Sequence, residues 1–433
     1  MANRNFMRKG MLFQSFVLKI LFYIIYRTIK FIIDIESMIW MITKNIIYQE
    51  KECDDGKDVE IYDVLIRHKF YIDDPSKETD FIYFHNSFTS YEKILKSNNW
   101  HFYSLTEYYA YFIYLHESYD FKTNESFTTY AFKHCTLIAK VNAEDFLTTT
   151  SIVKNINGKT INLFAMSYSC IDDILSVLQH LAPSPKYNDK KIQIFKDYSS
   201  LDSVLKLIEM KNNLTIDECR KIVLNGMKCI LKNQKDNEIW FIEMRPENIA
   251  LIPYIHSSLP SIIHVYYGRD KIDQALLYYL KEHDYKDNQL KELIVMRKKM
   301  KKLMAFFTWK GYFERSLLNR VKPQNQLQLA LTLISKSVLD YRLNRKYFIS
   351  DIIYYERFIT DPYITLTNLL KNCGLLNQFS VPEITSIKEH QVKRKFTSEE
   401  IEEIKNVTEL IGLYDENKRS MEVTSYLDTD CYL

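Results

Sequence analysis

The stretch HVYYGRDKID, residues 264–273, places an arginine where it could bind a phosphate. Apolar residues before Gly268 are typical of a buried strand, the glycine permits a turn, and Arg269 precedes a predicted helix. In a parallel sheet, loops at the carboxyl ends of strands collect anions, because helix N-termini there present unpaired N–H groups. A guanidinium can grip a phosphate with two parallel hydrogen bonds, although a strand-end arginine is more often an ordinary ion-pair residue.

Alternating strand and helix patterns would position this arginine. Strands are predicted at 238–242 and 261–267, with a helix at 246–255 between them and helical periodicity from 272 to 280. The segment 215–233 opens with a Thr/Glu capping box and is predicted to be a helix. Alternation without tight hairpin signals predicts a parallel sheet with helices on its faces.

A second strand, loop and helix is predicted in IIYYERFITDPYITLTNLLKNCGL, residues 352–375. Asp361 is expected to cap a helix whose first turn contains Pro362, and Gly374 is expected to end it. The predicted apolar stripe of that helix consists of Leu366, Leu369, Leu370 and Cys373. A further strand at 79–88 is predicted to run into a polar loop, followed by a short helix at 90–99.

Three blocks of the chain resemble the sulfotransferases that use 3′-phosphoadenylyl sulfate (PAPS), in particular their bacterial-type branch. Residues 240–276 resemble the family's Trp-strand, Pro-Glu-Asn, Leu-Pro and Arg-Asp-Pro-x-Asp series, with Arg269 and Asp273 at the right spacing. Residues 352–375 resemble its "RYEDL…DP..TL" element, and residues 392–417 its C-terminal basic loop and closing helix. The resemblance covers about residues 75–415 and is strongest from 238 onwards.

The resemblance implies a P-loop-like α/β fold, a parallel sheet flanked by helices, with PAPS as donor and no metal. Arg269 would hold the 3′-phosphate, and Lys393 and Arg394 could close over the nucleotide. The family's phosphosulfate loop aligns with IYFHNSFTS, residues 82–90. This alignment implies donor contacts at Asn86, Ser87, Thr89 and Ser90. His85 would then be the candidate catalytic base, although a lone histidine is more often structural.

The sequence departs from the family pattern at several of these positions. No glycine occurs between Gly56 and Gly158, so the close backbone cradle for the phosphosulfate is compromised. Leu277 stands where the family has a phosphate-binding serine, and Met244 where it has a lysine, although Arg245 is adjacent. The sequence therefore leaves two functions open: sulfuryl transfer to a hydroxyl or amine, or a catalytically degraded sulfotransferase fold that serves as a binding or membrane-associated partner.

Other candidate residues and motifs carry less weight. His264 lies inside a predicted strand and is expected in the core, and Glu107 is expected to face an acceptor or solvent. A P-loop nucleotide hydrolase is disfavoured because the sequence has no G-x-x-x-x-G-K-[ST] motif.

Composition limits the partners and the compartment. With 26% charged residues and a net charge of +3, the chain is expected to be folded, and no nucleic-acid partner is indicated. The expected partners are the nucleotide donor and an unknown small-molecule, glycan or lipid acceptor. Seven scattered cysteines without a C-x-x-C pair are expected to be reduced thiols, which fits a cytoplasmic protein.

The N-terminal segment is the most apolar part of the chain. Residues 1–50 are expected to form a hydrophobic, basic helical arm with seven basic and three acidic residues. Three alternatives remain open: an arm packed on the domain, a helix lying on an anionic membrane surface, and a true span or uncleaved signal. We expect a linker and lead-in at 51–75, the α/β domain at 76–415 and a tail at 416–433.

Overall fold

The computed structural model describes residues 2–48, 58–116, 125–270, 272–285, 292–294, 315–382, 387 and 392–413, except residues 73, 154, 155, 157, 212 and 393. These residues form two compact units. The first unit consists of residues 1–16, 161–192 and 263–433, and the second unit of residues 17–160 and 193–262. The predicted tail, residues 416–433, and Lys393 lie outside the described residues.

Parallel strands form the centre of the first unit. Strand β6 (Lys159–Ala165, in this unit from Ile161) pairs in parallel with β10 (Ile263–Gly268), which pairs in parallel with β11 (Ile353–Tyr354). A two-stranded antiparallel sheet of β7 (Ala182–Pro183) and β12 (Phe379–Ser380) completes the strands described in this unit. The parallel sheet predicted around the 261–267 strand is therefore present.

Seven helices of six or more described residues lie wholly in the first unit. They are α6 (Ile171–Gln179), α10 (Ile272–Tyr285), α11 (Arg315–Val321), α12 (Gln326–Asn344), α13 (Tyr355–Thr360), α14 (Pro362–Asn372) and α15 (Ser398–Ile411). Short 3₁₀ helices span Pro185–Tyr187 and Arg345–Tyr347. Helix α12 packs on β10, where the Tyr266 hydroxyl lies 3.2 Å from Ser337 Oγ and the Tyr266 ring 4.5 Å from the Tyr341 ring.

Local sequence signals set the ends of α14 as predicted. The Asp361 carboxylate accepts a hydrogen bond from the Ile364 backbone N–H at 2.9 Å, and Pro362 occupies the first turn. At the other end, Gly374 adopts a φ of 64°, and the Leu375 N–H donates to the Leu370 carbonyl at 2.7 Å. This is a Schellman ending, which a residue with a Cβ atom would strain.

An antiparallel sheet forms one part of the second unit. Its strands are β1 (Asp58–Arg67), β2 (Phe81–Ser90), β3 (Trp100–Leu105), β4 (Tyr109–Tyr114) and β5 (Leu137–Asn142), in the order β2-β1-β5-β4-β3. The predicted lead-in at 51–75 therefore contains a strand, β1, that the sequence patterns did not reveal. Packed aromatic rings such as Phe102 and Phe146, 5.5 Å apart, cover this sheet.

The remaining elements of the second unit include two further strands and several helices. They are α2 (Tyr91–Lys96), α3 (Phe127–His134), α4 (Ala143–Phe146), α5 (Thr149–Ile152), β8 (Lys191–Tyr198), α7 (Ser200–Met210), α8 (Ile216–Leu231), β9 (Glu238–Met244) and α9 (Ile252–Ser258). Two 3₁₀ helices span Glu78–Asp80 and Pro246–Leu251. The predicted capping box of α8 is confirmed, since Thr215 Oγ1 accepts from the Glu218 N–H and the Glu218 carboxylate accepts from the Thr215 N–H.

The N-terminal segment forms one long helix, α1 (Ala2–Tyr48). Within the second unit, its residues 17–48 run beside β2: the His85 N–H donates to Ser37 Oγ at 2.8 Å, and Lys44 Nζ donates to the Asn86 carbonyl at 2.9 Å. No helix in the described part of the chain has a stretch long and apolar enough to cross a membrane.

Candidate functional site

Three chain segments converge at the carboxyl ends of the parallel strands in the first unit. The loop Met166–Cys170 follows β6, Arg269 and Asp270 follow β10, and the first turn of α13 follows β11. The strands pair in register at these ends, with Tyr267 opposite both Ala165 and Ile353. Parallel pairing thus brings together side chains that are about 100 and 190 residues apart along the chain.

Arg269 links the three segments. Its Nε donates to the Tyr168 carbonyl at 3.3 Å, and Nη2 lies 3.1 Å from Cys170 Sγ. Its Nη1 lies 3.7 Å from Glu356 Oε1, and the guanidinium lies 4.3 Å from the centre of the Tyr355 ring. The arginine is 2% exposed, so its charge is stabilised by these neighbours rather than by water.

Glu356 places its carboxylate between Arg269 and the backbone of Asp270. Its Oε2 accepts a hydrogen bond from the Asp270 backbone N–H at 2.9 Å, while Oε1 faces the Arg269 guanidinium. A backbone N–H and a guanidinium that converge on one carboxylate are also the donors that bind a phosphate. The carboxylate of Glu356 is therefore bound by two donors that could also bind an anion.

The loop after β6 supplies polar groups but no cation. Tyr168 and Cys170 have φ values of 63° and 57°, a left-handed conformation that is uncommon for residues with a side chain. Ser169 is 1% exposed, and its hydroxyl has no hydrogen-bond partner among the residues that the structure describes. The first turn of α6, which follows, carries the carboxylates of Asp172 and Asp173.

These groups fit one end of PAPS and not the other. Arg269 and the Asp270 N–H suit a single phosphate once Glu356 moves away. The loop Met166–Cys170 has no lysine, arginine or glycine, and Asp172 and Asp173 would repel a phosphosulfate at the α6 N-terminus. Within the described residues, the 3′-phosphate end of the donor therefore has a matching donor set, and the phosphosulfate end does not.

Burial changes the acidity of two groups near Arg269. Burial raises the pKa of the Cys170 thiol, and the Arg269 guanidinium opposes this increase. Burial also raises the pKa of the Tyr267 phenol well above its usual value, with Asp173 adding to the increase. Both groups are therefore uncharged at neutral pH.

The first predicted donor loop is strand instead. Phe81–Ser90 form β2, which pairs antiparallel with β1, so the polar loop and the parallel pairing expected around residues 79–90 are wrong. Four of the predicted site residues pair with residues of β1: His85 with Tyr62, Ser87 with Ile61, Thr89 with Val59 and Ser90 with Asp58. Antiparallel pairing uses the backbone groups that a phosphate loop would present.

The side chains of this strand have local partners. The His85 ring is 2% exposed and packs 5.6 Å from the Tyr62 ring and 4.8 Å from the Phe88 ring. Asn86 Nδ2 donates to Asp63 Oδ2 at 2.8 Å. The predictions for this segment were based on a loop at the end of a strand, and these residues lie within β2 instead. It stays a prediction that PAPS binds at Asn86, Ser87, Thr89 and Ser90 and that His85 is the catalytic base.

The other predicted residues that the structure describes have partners of their own. Arg394 forms an ion pair with Glu400, at the start of α15. His264 is 1% exposed and packs against the Phe164 and Phe348 rings, so its expected place in the core is confirmed. In the second unit, Glu107 lies 3.0 Å from Lys211, and Arg245 Nε donates to Asp197 Oδ1 at 2.7 Å.

Two of the groups that surround Arg269 were not predicted from the sequence. The loop Met166–Cys170 has no glycine or basic residue to mark it, although a buried strand precedes it and the apolar stripe Ile171, Ile174, Leu175 and Leu178 follows it. That strand–helix pattern was the available signal. Glu356, which was not predicted to lie in the site, accepts a hydrogen bond from the backbone N–H of Asp270, 86 positions away in the sequence.

Comparisons with known proteins found one solved structure that is distantly similar to this chain. No protein-family model matches the chain, and no curated protein matches it. Among solved structures, it is similar to a sulfotransferase from Alicyclobacillus acidocaldarius, with a TM-score of 0.34 and 9% identity. That alignment covers 59% of this chain and 94% of the other. At this TM-score the likeness carries no weight for fold or function.

Proposed function

We propose that the protein is a sulfotransferase-like enzyme that binds PAPS at the carboxyl ends of β6, β10 and β11 and transfers its sulfuryl group to a hydroxyl or amine. The observation that carries the proposal is the pair of donors, the Arg269 guanidinium and the Asp270 N–H, that converge on the Glu356 carboxylate. The ordered sequence resemblance in residues 240–276, 352–375 and 392–417 supports the choice of nucleotide.

In this proposal the 3′-phosphate of the nucleotide displaces Glu356 and takes its hydrogen bonds. Glu356 is able to leave because its side chain is 24% exposed, whereas Arg269 stays fixed between Tyr355 and the Tyr168 carbonyl. Replacing a carboxylate by a phosphate at the same donors exchanges one charge-assisted contact for another. The site therefore selects a dianionic phosphate over a neutral sugar hydroxyl.

A second candidate function is nucleotide binding without transfer. It is favoured by the acidic first turn of α6, Asp172 and Asp173, beside a loop that lacks any cation. Sulfuryl transfer needs positive charge around the moving group. Under this alternative the protein is a catalytically degraded sulfotransferase fold that acts as a binding partner.

Calorimetric titration with adenosine 3′,5′-diphosphate tests both candidates for binding. We expect micromolar affinity in the wild-type chain and loss of binding in Arg269→Met. Arg357→Met is the matched control, because Arg357 is exposed and its guanidinium stacks on the ring of Tyr354, at the end of β11. Absence of binding to the folded wild-type chain would refute both candidates.

Transfer is then tested with radiolabelled PAPS and a panel of phenol, sugar and amine acceptors. Labelled product that disappears in Arg269→Met and persists in Arg357→Met supports the enzyme. Binding of adenosine 3′,5′-diphosphate together with no labelled product from any acceptor supports the degraded form.

A further inference from the structure

Helix α1 presents most of its large apolar residues to the outside, while Lys19, Tyr26 and Lys30 contact the second unit. Fifteen of the 27 exposed large apolar side chains in the described residues lie on α1 between Leu18 and Ile47, with Phe22 and Phe31 each 65% exposed. Monomeric soluble proteins rarely leave contiguous apolar patches larger than a few hundred Å². An exposed apolar face of this extent is typical of binding surfaces.

The inward side of the helix is polar and firmly held. Lys30 is 7% exposed, with Nζ 3.8 Å from the centre of the Tyr83 ring. The Tyr26 hydroxyl donates to the Thr79 carbonyl at 3.1 Å, and Lys19 Nζ lies 5.3 Å from the centre of the Tyr71 ring. Because these contacts recur along the helix, α1 is fixed lengthwise and its outer face has one defined orientation.

The outer face has a continuous apolar stripe, which we call the α1 stripe. Its members, spaced three or four residues apart except across Thr28, are Leu18, Leu21, Ile25, Ile32, Ile35, Ile39, Ile42 and Ile46. Flanking positions are apolar as well: Phe22, Ile24, Ile29, Phe31 and Met38. At 3.6 residues per turn, the exposed apolar arc spans about 200° of the helix over roughly 42 Å.

This arc is too wide for one partner helix. A helix that packs on another buries an apolar stripe of about 100°, and a two-stranded coiled coil carries charged residues at the positions flanking its seam. Here most of those positions are apolar. Among the described side chains of residues 17–48, Arg27 and Glu36 are the exposed charged residues, and Glu36 lies within the arc. A planar hydrocarbon surface contacts a broad arc of this kind.

We propose that the α1 stripe docks on a lipid bilayer, with α1 lying in the membrane plane beneath the second unit. Trp40, 46% exposed at the edge of the arc, suits the interfacial region, where indole rings concentrate. Residues 1–33 contain six basic residues and no acidic one; Lys19 and Lys30 contact Tyr71 and Tyr83, and the net positive charge of this segment favours an anionic membrane surface. The apolar stripe is longer than the hydrocarbon core is thick, about 30 Å, which fits an in-plane helix.

Vesicle flotation of the full-length chain tests the proposal, with phosphatidylcholine vesicles with or without phosphatidylglycerol as the probe. The stripe variant is Ile25→Gln/Ile32→Gln/Ile39→Gln, whose positions are 54%, 50% and 56% exposed. The control Leu343→Gln/Ile364→Gln/Ile401→Gln changes three exposed apolar residues elsewhere, 79%, 54% and 48% exposed. Circular dichroism confirms that both variants fold.

We expect the wild type and the control to float, more strongly with phosphatidylglycerol, and the stripe variant to bind at least ~tenfold more weakly. Tryptophan emission should shift to the blue with vesicles in the wild type and not in Trp40→Phe. Equal flotation of the wild type and the stripe variant, or none of either, overturns the proposal. A stable homo-oligomer in light scattering that the stripe variant dissociates, without flotation, assigns the face to a second copy and also overturns it.

Discussion

Arg269 and Glu356 face each other across the ends of β10 and β11, with Nη1 3.7 Å from Oε1. The same carboxylate accepts the Asp270 N–H at 2.9 Å. One acidic side chain thus satisfies the donors to which we assign the nucleotide phosphate. The pair stabilises the first unit in the free protein and, in the proposed function, competes with the ligand.

Glu356→Gln should raise the affinity for adenosine 3′,5′-diphosphate by about fivefold, because a neutral amide competes less well than a carboxylate for Arg269. Calorimetry at fixed ionic strength measures the effect. Asp351→Asn is the control, since it removes one negative charge from a side chain that is 94% exposed. Equal affinities in Glu356→Gln and wild type would show that the phosphate does not use these donors.

Arg269→Met should lower the free energy of unfolding by about 2–4 kcal/mol, because it leaves Glu356 without its cation and removes the contacts to Tyr168 and Tyr355. Urea unfolding followed by circular dichroism measures the loss. Arg357→Met, at an exposed position, should change stability by less than about 0.5 kcal/mol. Similar losses in the two variants would contradict a clamping role for Arg269.

Cys170 should react more slowly with iodoacetamide when adenosine 3′,5′-diphosphate is bound, because its Sγ lies 3.1 Å from Arg269 Nη2 within the proposed site. Peptide mass spectrometry after timed alkylation gives the rate at each cysteine. Cys219, in the second unit, serves as the internal reference and should keep its rate. Unchanged alkylation of Cys170 at saturating nucleotide would place the ligand elsewhere.

Stability should fall in alkaline solution partly through Cys229, whose thiol pKa burial raises to about 11. The unfolded thiol titrates near 8.5, so the folded state binds more protons between that pH and 11, and stability is lost as pH rises through this window. Cys229→Ala should unfold with a pH slope shallower by roughly 1 kcal/mol per pH unit. Parallel slopes in urea titrations from pH 7 to 10 would contradict the assignment.

Asp361→Ala should destabilise the chain by about 1 kcal/mol, because it removes the acceptor for the Ile364 N–H at the start of α14. Asp361→Asn, which keeps a side-chain oxygen, is the matched control and should lose much less. Chemical unfolding of the three proteins compares them. An equal loss in both variants would show that charge, and not the cap bond, matters at this position.

Sequence patterns predicted the parts of the fold that short-range chemistry determines. The cap at Asp361, the ending at Gly374 and the capping box of Thr215 depend on residues within five positions of one another, so their signals are local. Arg269 was found because a strand, a glycine and a helix follow one another there. Its role as a phosphate ligand stays a prediction.

Strand partners could not be read from the same patterns. A strand was correctly predicted at 79–88, but its antiparallel pairing depends on β1. The β1 segment was assigned to the lead-in because polar residues precede it, and no tight turn joins β1 to β2. The loop Met166–Cys170 lacks the glycines and cations that mark phosphate loops. Its contact with Arg269 joins positions about 100 residues apart, which no local pattern encodes.

A crystal structure of the chain with adenosine 3′,5′-diphosphate tests the central claim most directly. The proposed function predicts a phosphate within hydrogen-bonding distance of the Asp270 N–H and the Arg269 guanidinium, with the Glu356 side chain turned away from both. A nucleotide bound elsewhere, with Glu356 still accepting the Asp270 N–H, would contradict it.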